Sequence, residues 1–329
     1  MTDPSRAFAP LIDRLDALFD RLEAILPPPL PPPDWSATAF RWRTRGGRGW
    51  LEAVKLPHRI RFEDLQGVDD QKRRIAQNTR QFVARRSANN VLLTGARGTG
   101  KSSLVKAVFN QFSARGLRLI EVDKDDLVHL PEIVDLIAGR RERFIIFCDD
   151  LSFESGEPGY KAMKSILDGS ITGMPDNLLV YATSNRRHLM PEKMSENLET
   201  QRNADNADGD IHPGETTEEK VSLSERFGLW LSFYPFGQDH YLEICAHWLA
   251  EFGASPQQIA AARGEALQWT LMRGSRSGRV AWQFARDYAG RHAKKPSPRP
   301  RPTTGFAQPT GSGSAKHASR NPASPRGRG

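Results

Sequence analysis

The stretch GARGTGKS at Gly95–Ser102 decides the fold, because it matches the pattern G-x-x-x-x-G-K-[ST] at every position. Residues 90–94 before it form a short, branched apolar run that predicts a buried parallel strand. Residues 101–114 after it place apolar side chains at helical spacing. A strand, a glycine loop and a helix in this order predict backbone N–H groups and a helix N-terminus that together bind phosphates.

Two side chains of this loop are expected to act on a nucleoside triphosphate directly. Lys101 would reach the β- and γ-phosphates, and the hydroxyl of Ser102 would hold Mg²⁺. The alternative is a chance match in a glycine-rich turn. The predicted nucleotide-binding set is Gly95, Ala96, Arg97, Gly98, Thr99, Gly100, Lys101, Ser102 and Ser103.

Two acidic residues follow a second predicted strand. Residues 144–148 are apolar and run directly into Asp149 and Asp150. A strand buried on both faces delivers such carboxylates to the carboxyl edge of a parallel sheet, where an α/β nucleotide site takes its metal ligand. We expect Asp149 to bind Mg²⁺ and Asp150 to polarise the attacking water. The alternative is a strand that ends in a helix cap or a turn.

Further strands are predicted at residues 117–122, 177–185 and 230–234, and three helical patterns follow between residues 239 and 290. The strand at 177–185 ends in Asn185, whose amide would orient the attacking water or contact the γ-phosphate. A simple turn residue is the alternative. The helical patterns predict a small all-helical domain after the sheet.

The net charge of +8 is concentrated at the end of the chain. Residues 293–329 contain eight Lys or Arg residues and no Asp or Glu, and removing these eight from the 47 basic residues leaves 39, equal to the 39 acidic ones. This basic tail is expected to be disordered and either to contact nucleic acid weakly or only to aid solubility. With 38% hydrophobic residues, the rest of the chain suffices for a sizeable core.

Several classes of protein are disfavoured by composition. Cys148 and Cys245 form no disulfide framework and no metal-ligand spacing, which favours a cytoplasmic location. No apolar run approaches the roughly 18 residues of a membrane span, so we expect no membrane association. No basic segment precedes an apolar one at the N-terminus, so we expect no signal peptide.

The first 60 residues read as two segments. Residues 1–27 carry an apolar stripe on a predicted helix, which would pack on the chain itself, on a second copy or on a partner. Residues 28–60 hold a proline-rich spacer and then an arm in which Trp and Phe alternate with Arg. We favour an irregular arm packed on the core over a surface that stacks on single-stranded nucleic acid.

The chain then divides into three further segments. We predict a nucleotide-binding domain at 61–236, a helical lid at 237–292 and the disordered basic tail at 293–329. Residues 190–221 within the first of these contain almost no apolar residue after Leu198, so we expect a long mobile insertion.

The order of these features over residues 60–290 resembles the AAA+ ATPases, and most of all an uncharacterised bacterial group of them. Gly95–Ser102 is similar to Walker A, residues 144–150 to Walker B, Asn185 to sensor 1 and Arg226 to the arginine finger. Sensor 2 would be Arg279, with Arg276 as the alternative. The resemblance implies a parallel α/β sheet with helices on both faces and a C-terminal helical lid.

The resemblance also implies ATP and Mg²⁺ as cofactors and a homo-oligomer in which Arg226 reaches a neighbouring subunit's nucleotide. An ion pair with Glu225 or with the acidic insertion is the alternative for Arg226, and a lid salt bridge for Arg279. Walker B usually ends Asp-Glu, whereas this chain ends Asp149-Asp150. The shorter side chain predicts slow hydrolysis, and Glu154 is a substitute candidate for the base.

Two functions remain open on the sequence. The first is an ATP-driven motor or remodelling ATPase acting on an unknown protein or other macromolecule. The second is a slow switch or scaffold in which nucleotide binding matters and turnover does not. A small-molecule kinase or GTPase is weaker, since the chain has no guanine-recognition motif.

Overall fold

The computed structural model describes residues 14, 15, 17–19, 21, 30–153, 157–169, 174–185 and 223–292. The strands are β1 (Ala39–Arg45), β2 (Arg48–Ala53), β3 (Val91–Gly95), β4 (Leu117–Glu121), β5 (Arg143–Cys148), β6 (Leu178–Ser184) and β7 (Leu229–Phe233). The helices are α1 (Asp69–Val83), α2 (Lys101–Phe112), α3 (Leu130–Ile137), α4 (Pro158–Asp168), α5 (Gln238–Glu251), α6 (Pro256–Arg273) and α7 (Gly278–His292). Two compact units result, Met1–Arg291 and His292–Gly329, and only His292 of the second is described.

The strands form one seven-stranded sheet in the order β2-β1-β4-β5-β6-β3-β7. All neighbours run parallel except β1 and β2, which are antiparallel. The strand before the glycine loop, β3, lies between β6 and β7. Because the carboxyl ends of parallel strands meet at one edge, the residues that follow β3, β5 and β6 are brought together there.

Alternate residues of each central strand enter two different cores. On β5, Ile145 and Phe147 join the core built with α1, α2 and the last three helices, whereas Phe144 and Ile146 join the core built with α3 and α4. These side chains are fully buried. The predicted class, a parallel sheet with helices on both faces, is confirmed.

The expectation of an irregular arm at residues 34–60 is wrong, because most of it forms the β1–β2 hairpin that extends the sheet. Its two-residue turn, Gly46-Gly47, has φ values of +58° and +73°, which glycine adopts without strain. Trp42 is buried against the sheet, and Arg41 pairs with Glu121 of β4 at 2.8 Å. Phe40 and Trp42 are therefore core residues, and Trp35 packs against the same core.

The three helical patterns predicted between residues 239 and 290 are α5, α6 and α7, which share the core of α1 and α2. In the N-terminal segment the described residues are helical, and Leu15, Leu18 and Phe19 are exposed. The predicted insertion at 190–221 and the tail at 293–329 lie outside the described residues. Among those that are described, no helix is both long and apolar enough to cross a bilayer.

Candidate nucleotide-binding site

The loop between β3 and α2 requires glycine at two positions for steric reasons. Gly95 has φ +132°, and a Cβ there would lie 1.9 Å from the carbonyl oxygen of Phe233 on β7. Gly98 has φ +77°, and a Cβ there would lie 2.8 Å from Oγ of Ser277, just before α7. Side chains are strained at both φ values and have no room at either position. The loop is therefore held closely between the sheet edge and the start of α7.

Lys101 is buried at the start of α2. Its Nζ donates hydrogen bonds to the carbonyl oxygens of Gly95 and Ala96, at 2.7 and 2.8 Å, and to Oδ1 of Asn185 at 2.9 Å. All three acceptors are neutral. Burial lowers the pKa of Lys101, while the nearby carboxylates act in the opposite direction. An anion brought to this ammonium group would add a charge–charge attraction that the three neutral acceptors do not provide.

A hydroxyl and a carboxylate face each other beside the loop. Ser102 Oγ donates to Oδ1 of Asp149 at 2.6 Å, and Thr183 Oγ1 donates to the same oxygen at 2.5 Å. Mg²⁺ typically takes one or two protein carboxylates and completes its shell with phosphate oxygens and water. Within the described ranges no three His, Cys, Asp or Glu side chains cluster. Ser102 and Asp149 supply one hydroxyl and one carboxylate, which fits an Mg²⁺ whose remaining ligands are phosphate oxygens and water.

Asp150 is fixed by contacts on three sides. Its backbone N–H donates to Thr183 Oγ1 at 2.9 Å, and its Oδ1 accepts a hydrogen bond from Nδ2 of Asn185. Its second carboxylate oxygen lies 3.5 Å from the guanidinium of Arg97 in the glycine loop. Asp150 and Asn185 thus form one hydrogen-bonded unit that also contacts Lys101 through the amide oxygen.

The backbone gives a reason for aspartate instead of glutamate at this position. Asp150 has φ +53°, in the left-handed region. Aspartate and asparagine enter this region several times more often than other residues with a side chain, because their short polar groups bond locally. The shorter side chain of Asp150 predicts slow hydrolysis, but aspartate is also the residue that this backbone conformation accommodates better than glutamate. Glu154, the substitute base, lies outside the described residues.

The start of α7 lies against the glycine loop. Ser277 Oγ accepts a hydrogen bond from the N–H of Val280 and caps the helix, and the N–H of Arg279 reaches the carbonyl oxygen of Gly98 at 3.4 Å. Arg279 lines the cavity above the loop, whereas Arg276 does not. Of the two sensor 2 candidates, the structure brings only Arg279 to the site.

A cavity of about 800 Å³ encloses these groups and falls into two parts. The phosphate half contains the predicted residues that line it: Arg97, Gly98, Thr99, Gly100, Lys101, Ser102, Ser103, Asp149, Asp150, Asn185 and Arg279. Gly95 and Ala96 contribute through the carbonyl oxygens bonded to Lys101. The apolar half is lined by Ile60, Leu65, Val68, Phe236, Ile244 and Trp248. A flat base fits beside such apolar side chains.

Sequence reasoning missed most of the apolar half and also Thr183. The glycine turn at Gly67-Val68 would suit the flat base of a nucleotide, but as a sequence signal it is weak when taken alone. Ile244 and Trp248 read as ordinary members of the helical pattern that begins at residue 239, and Phe236 is an apolar residue just before it. Nothing in their spacing distinguishes a lining residue from a core residue. Thr183 did carry a signal, because it is a polar residue near the end of an otherwise apolar strand.

Arg226 lies away from the cavity. Its Nε donates a hydrogen bond to Oδ1 of Asp168, at the end of α4, and the two side chains form an ion pair. The sequence had suggested Glu225 or the acidic insertion as ion-pair partners, and it gave no sign of Asp168. Arg226 lines no part of its own chain's nucleotide cavity. Its expected role at the nucleotide of a neighbouring subunit stays a prediction.

The sheet, the glycine loop and the carboxylates at the strand ends define the class: this is an α/β protein with a P-loop at the carboxyl edge of a mostly parallel sheet. The family described as "Protein of unknown function (DUF815)" matches residues 35–292, and the chain belongs to this family. No curated protein matches the chain.

Several solved structures are similar to this chain at low identity. The Thermotoga maritima RuvB Holliday junction branch migration motor is 13% identical with a TM-score of 0.38 over 70% of this chain and 72% of that one. The Aeropyrum pernix ORC1 protein in complex with DNA is 17% identical with a TM-score of 0.45 over 72% and 65%. The E. coli MS115-1 HORMA:CdnC:Trip13 complex is 13% identical with a TM-score of 0.42 over 68% and 89%.

Proposed function

We propose that this protein binds ATP with Mg²⁺ and hydrolyses it, and that it does so as an oligomer whose conformation follows the nucleotide. The observation that carries the proposal is Lys101, a buried ammonium group held at a glycine loop by neutral acceptors only. Burying a charged group without a directly bonded opposite charge is unfavourable, so an anion bound to Lys101 would be stabilised. The phosphates of ATP would satisfy it.

The neighbouring residues support hydrolysis as well as binding. Ser102 and Asp149 would hold Mg²⁺, which neutralises charge on the phosphate oxygens when it is bound. Asp150 would accept a proton from the attacking water, and Asn185 would fix the carboxylate that does so. Arg279, on α7, would carry the state of the nucleotide to the lid helices.

The oligomer enters through Arg226. We propose that this arginine leaves Asp168 and stabilises the charge that develops on a neighbouring subunit's γ-phosphate. The unknown substrate, a protein or another macromolecule, would then be moved by the assembly. Activity would rise with protein concentration as the shared sites form.

One observation favours the second candidate, a slow switch. The carboxylate of Asp150 is already engaged by Asn185 and Arg97. If these contacts persist when ATP is bound, the Asp150 carboxylate cannot accept a proton from the attacking water. ATP would then stay bound without being hydrolysed.

The deciding experiment compares steady-state ATPase activity per subunit across protein concentrations for the wild type, Arg226→Ala and Asp168→Ala. A finger role predicts that activity rises with concentration, falls at least tenfold in Arg226→Ala and stays near the wild type in Asp168→Ala. Equal losses in both variants would assign Arg226 to the ion pair alone. Activity that is independent of concentration and unchanged in Arg226→Ala contradicts the oligomeric motor.

The substrate is best sought with a variant that binds ATP without turnover. Asp150→Asn should retain the nucleotide, since Asn185 can still bond to an amide oxygen at that position. Proteins or nucleic acids that co-purify with this variant in an ATP-dependent way, and not with Lys101→Ala, are candidates for what the assembly acts on.

A further inference from the structure

A second cleft of about 620 Å³ lies between α6 and α7 and is lined by aromatic and basic side chains. Trp269 and Arg273 come from α6, and Trp282 and Arg286 come from α7. The proposed ATPase reaction uses none of the four, although Trp282 also borders the nucleotide cavity. The cleft therefore has no role in what has been derived so far.

Each of the two arginines lies over an indole ring. The guanidinium carbon of Arg273 is 5.4 Å from the ring centroid of Trp269, and that of Arg286 is 5.2 Å from the centroid of Trp282. Both arginines are exposed, and both indoles are half-buried. The cleft thus presents two cation–π pairs, one from each helix, in which flat rings and positive charges alternate.

These two positive charges are not neutralised within the described part of the chain, where neither Arg273 nor Arg286 contacts a carboxylate. The third arginine of the cleft differs. Arg291 pairs with Glu265 at 2.8 Å and with Asp287 at 2.9 Å, which also accounts for the acidic residue in the lining. The cleft as a whole therefore attracts anions through Arg273 and Arg286.

We propose that this cleft binds single-stranded nucleic acid. Phosphates would contact Arg273 and Arg286, and bases would stack on the planes of the indole and guanidinium groups. An acidic peptide would use the arginines but has no flat group to stack on the indole and guanidinium planes, so the rings favour bases. The charge of the following segment also favours a polyanion such as nucleic acid. Residues 293–329, which directly follow α7 in the sequence, contain eight basic residues and no acidic one.

The experiment measures binding of a fluorescent oligothymidylate to the full-length protein, without nucleotide, over a range of salt concentrations. The test variant is Arg273→Ala/Arg286→Ala. Its matched control is Arg263→Ala/Arg80→Ala, which removes two exposed arginines, one from α6 and one from α1, outside the cleft. Arginines are chosen over tryptophans because Trp282 borders both cavities and Trp269 packs on buried Phe284. Unfolding temperature and ATP affinity confirm that each variant is folded.

We expect the cleft variant to bind oligothymidylate about tenfold more weakly and to reduce the slope of log affinity against log salt by about 1.4, near 0.7 for each lost phosphate contact. The control variant should stay within about twofold of the wild type. A chain that lacks residues 293–329 should bind more weakly but should keep the difference between cleft variant and parent.

Four results would overturn the proposal. Equal affinity in the cleft and control variants removes the cleft from nucleic-acid binding. Displacement of the oligonucleotide by polyglutamate at equal charge concentration assigns the cleft to acidic peptides, and displacement by AMP at micromolar concentration assigns it to free nucleotides. A change in oligomeric state in the cleft variant alone assigns the cleft to a contact between copies.

Discussion

The phosphate half and the apolar half of the nucleotide cavity are drawn from different kinds of sequence. The phosphate half consists mainly of one contiguous loop, Gly95–Ser102, and of polar residues at the ends of β5 and β6, to which α7 adds Arg279. The apolar half takes single side chains from distant places, among them Ile60 before α1, Phe236 before α5 and Trp248 within it. The first is encoded by backbone geometry at fixed spacing and the second by tertiary packing. The two halves should therefore fail in different ways when they are changed.

The largest effect is expected in the phosphate half. Lys101→Ala removes a buried ammonium group, and a charge-assisted hydrogen bond to phosphate contributes about 1.5–3 kcal/mol. ATP affinity should fall about 100-fold, as measured by isothermal titration calorimetry. Binding of tripolyphosphate, which has no base, should fall by a similar factor.

Lys161→Ala is the matched control, since Lys161 is exposed on α4 and lines no part of the cavity. ATP affinity in this variant should equal that of the wild type. A loss of less than tenfold in Lys101→Ala would contradict the assignment of the loop as the phosphate site, whatever the control does.

A second effect separates the carboxylate of Asp150 from its backbone. Asp150→Asn keeps a residue that accepts φ +53° but removes the base, so hydrolysis should fall about 100-fold while ATP affinity is kept. Asp150→Glu keeps the acid but forces a longer side chain into the left-handed region, which costs about 1 kcal/mol in the free energy of unfolding.

Steady-state turnover and urea unfolding measured on both variants test this separation. The expected pattern is a stable, slow Asn variant and a less stable Glu variant. If Asp150→Glu instead hydrolyses ATP faster and unfolds like the wild type, the backbone does not explain the aspartate, and chain length alone limits turnover.

The phosphate half and the apolar half of the cavity also differ in how far they could be predicted from the sequence. Gly95–Ser102, Asp149, Asp150 and Asn185 were assigned to one edge of a parallel sheet from their positions after apolar runs, and the strands bring them together there. The hairpin at residues 39–53 was not predicted, because alternating Trp and Arg at a sheet edge resembles an irregular basic arm until its partner strand β4 is known.

The apolar half could not be predicted for a different reason. Trp248 stands in a helical pattern where every apolar residue is equally a core candidate, and only the docking of α5 beside the loop at residues 60–68 makes it a lining residue. The choice between Arg276 and Arg279 likewise needed the N-terminus of α7, because one helical turn near a capping serine decides which side chain faces the loop.

An effect of intermediate size is expected in the apolar half. Trp248→Ala removes apolar surface from the cavity and should weaken ATP and ADP equally, by about tenfold or more, since burying a large apolar side chain contributes roughly 1.5–3 kcal/mol and about 1.4 kcal/mol is a factor of ten. Tripolyphosphate affinity should not change. Phe252→Ala is the matched control, because its ring stacks on Trp248 at 6.2 Å but does not line the cavity. Loss of tripolyphosphate binding in Trp248→Ala would show that the two halves are not separable.

The smallest effect concerns the contact between the loop and the start of α7. A Cβ at Gly98 meets Ser277 at 2.8 Å, whereas a Cβ at Gly116 meets nothing within 4 Å, yet both glycines have positive φ, +77° and +90°. Alanine at either position should therefore cost about 1 kcal/mol in backbone strain.

Only Gly98→Ala should also displace Ser277 and Arg279 from the loop. ATP affinity should fall by about threefold in Gly98→Ala, less than about 1 kcal/mol, and not at all in Gly116→Ala, as measured by calorimetry beside urea unfolding of both variants. The cost in unfolding free energy from backbone strain is common to both variants, so the difference in ATP affinity reports what happens at the loop, including its contact with α7. An equal affinity in the two variants would mean that α7 moves away from the loop freely, and Arg279 would then have no route by which to sense the nucleotide.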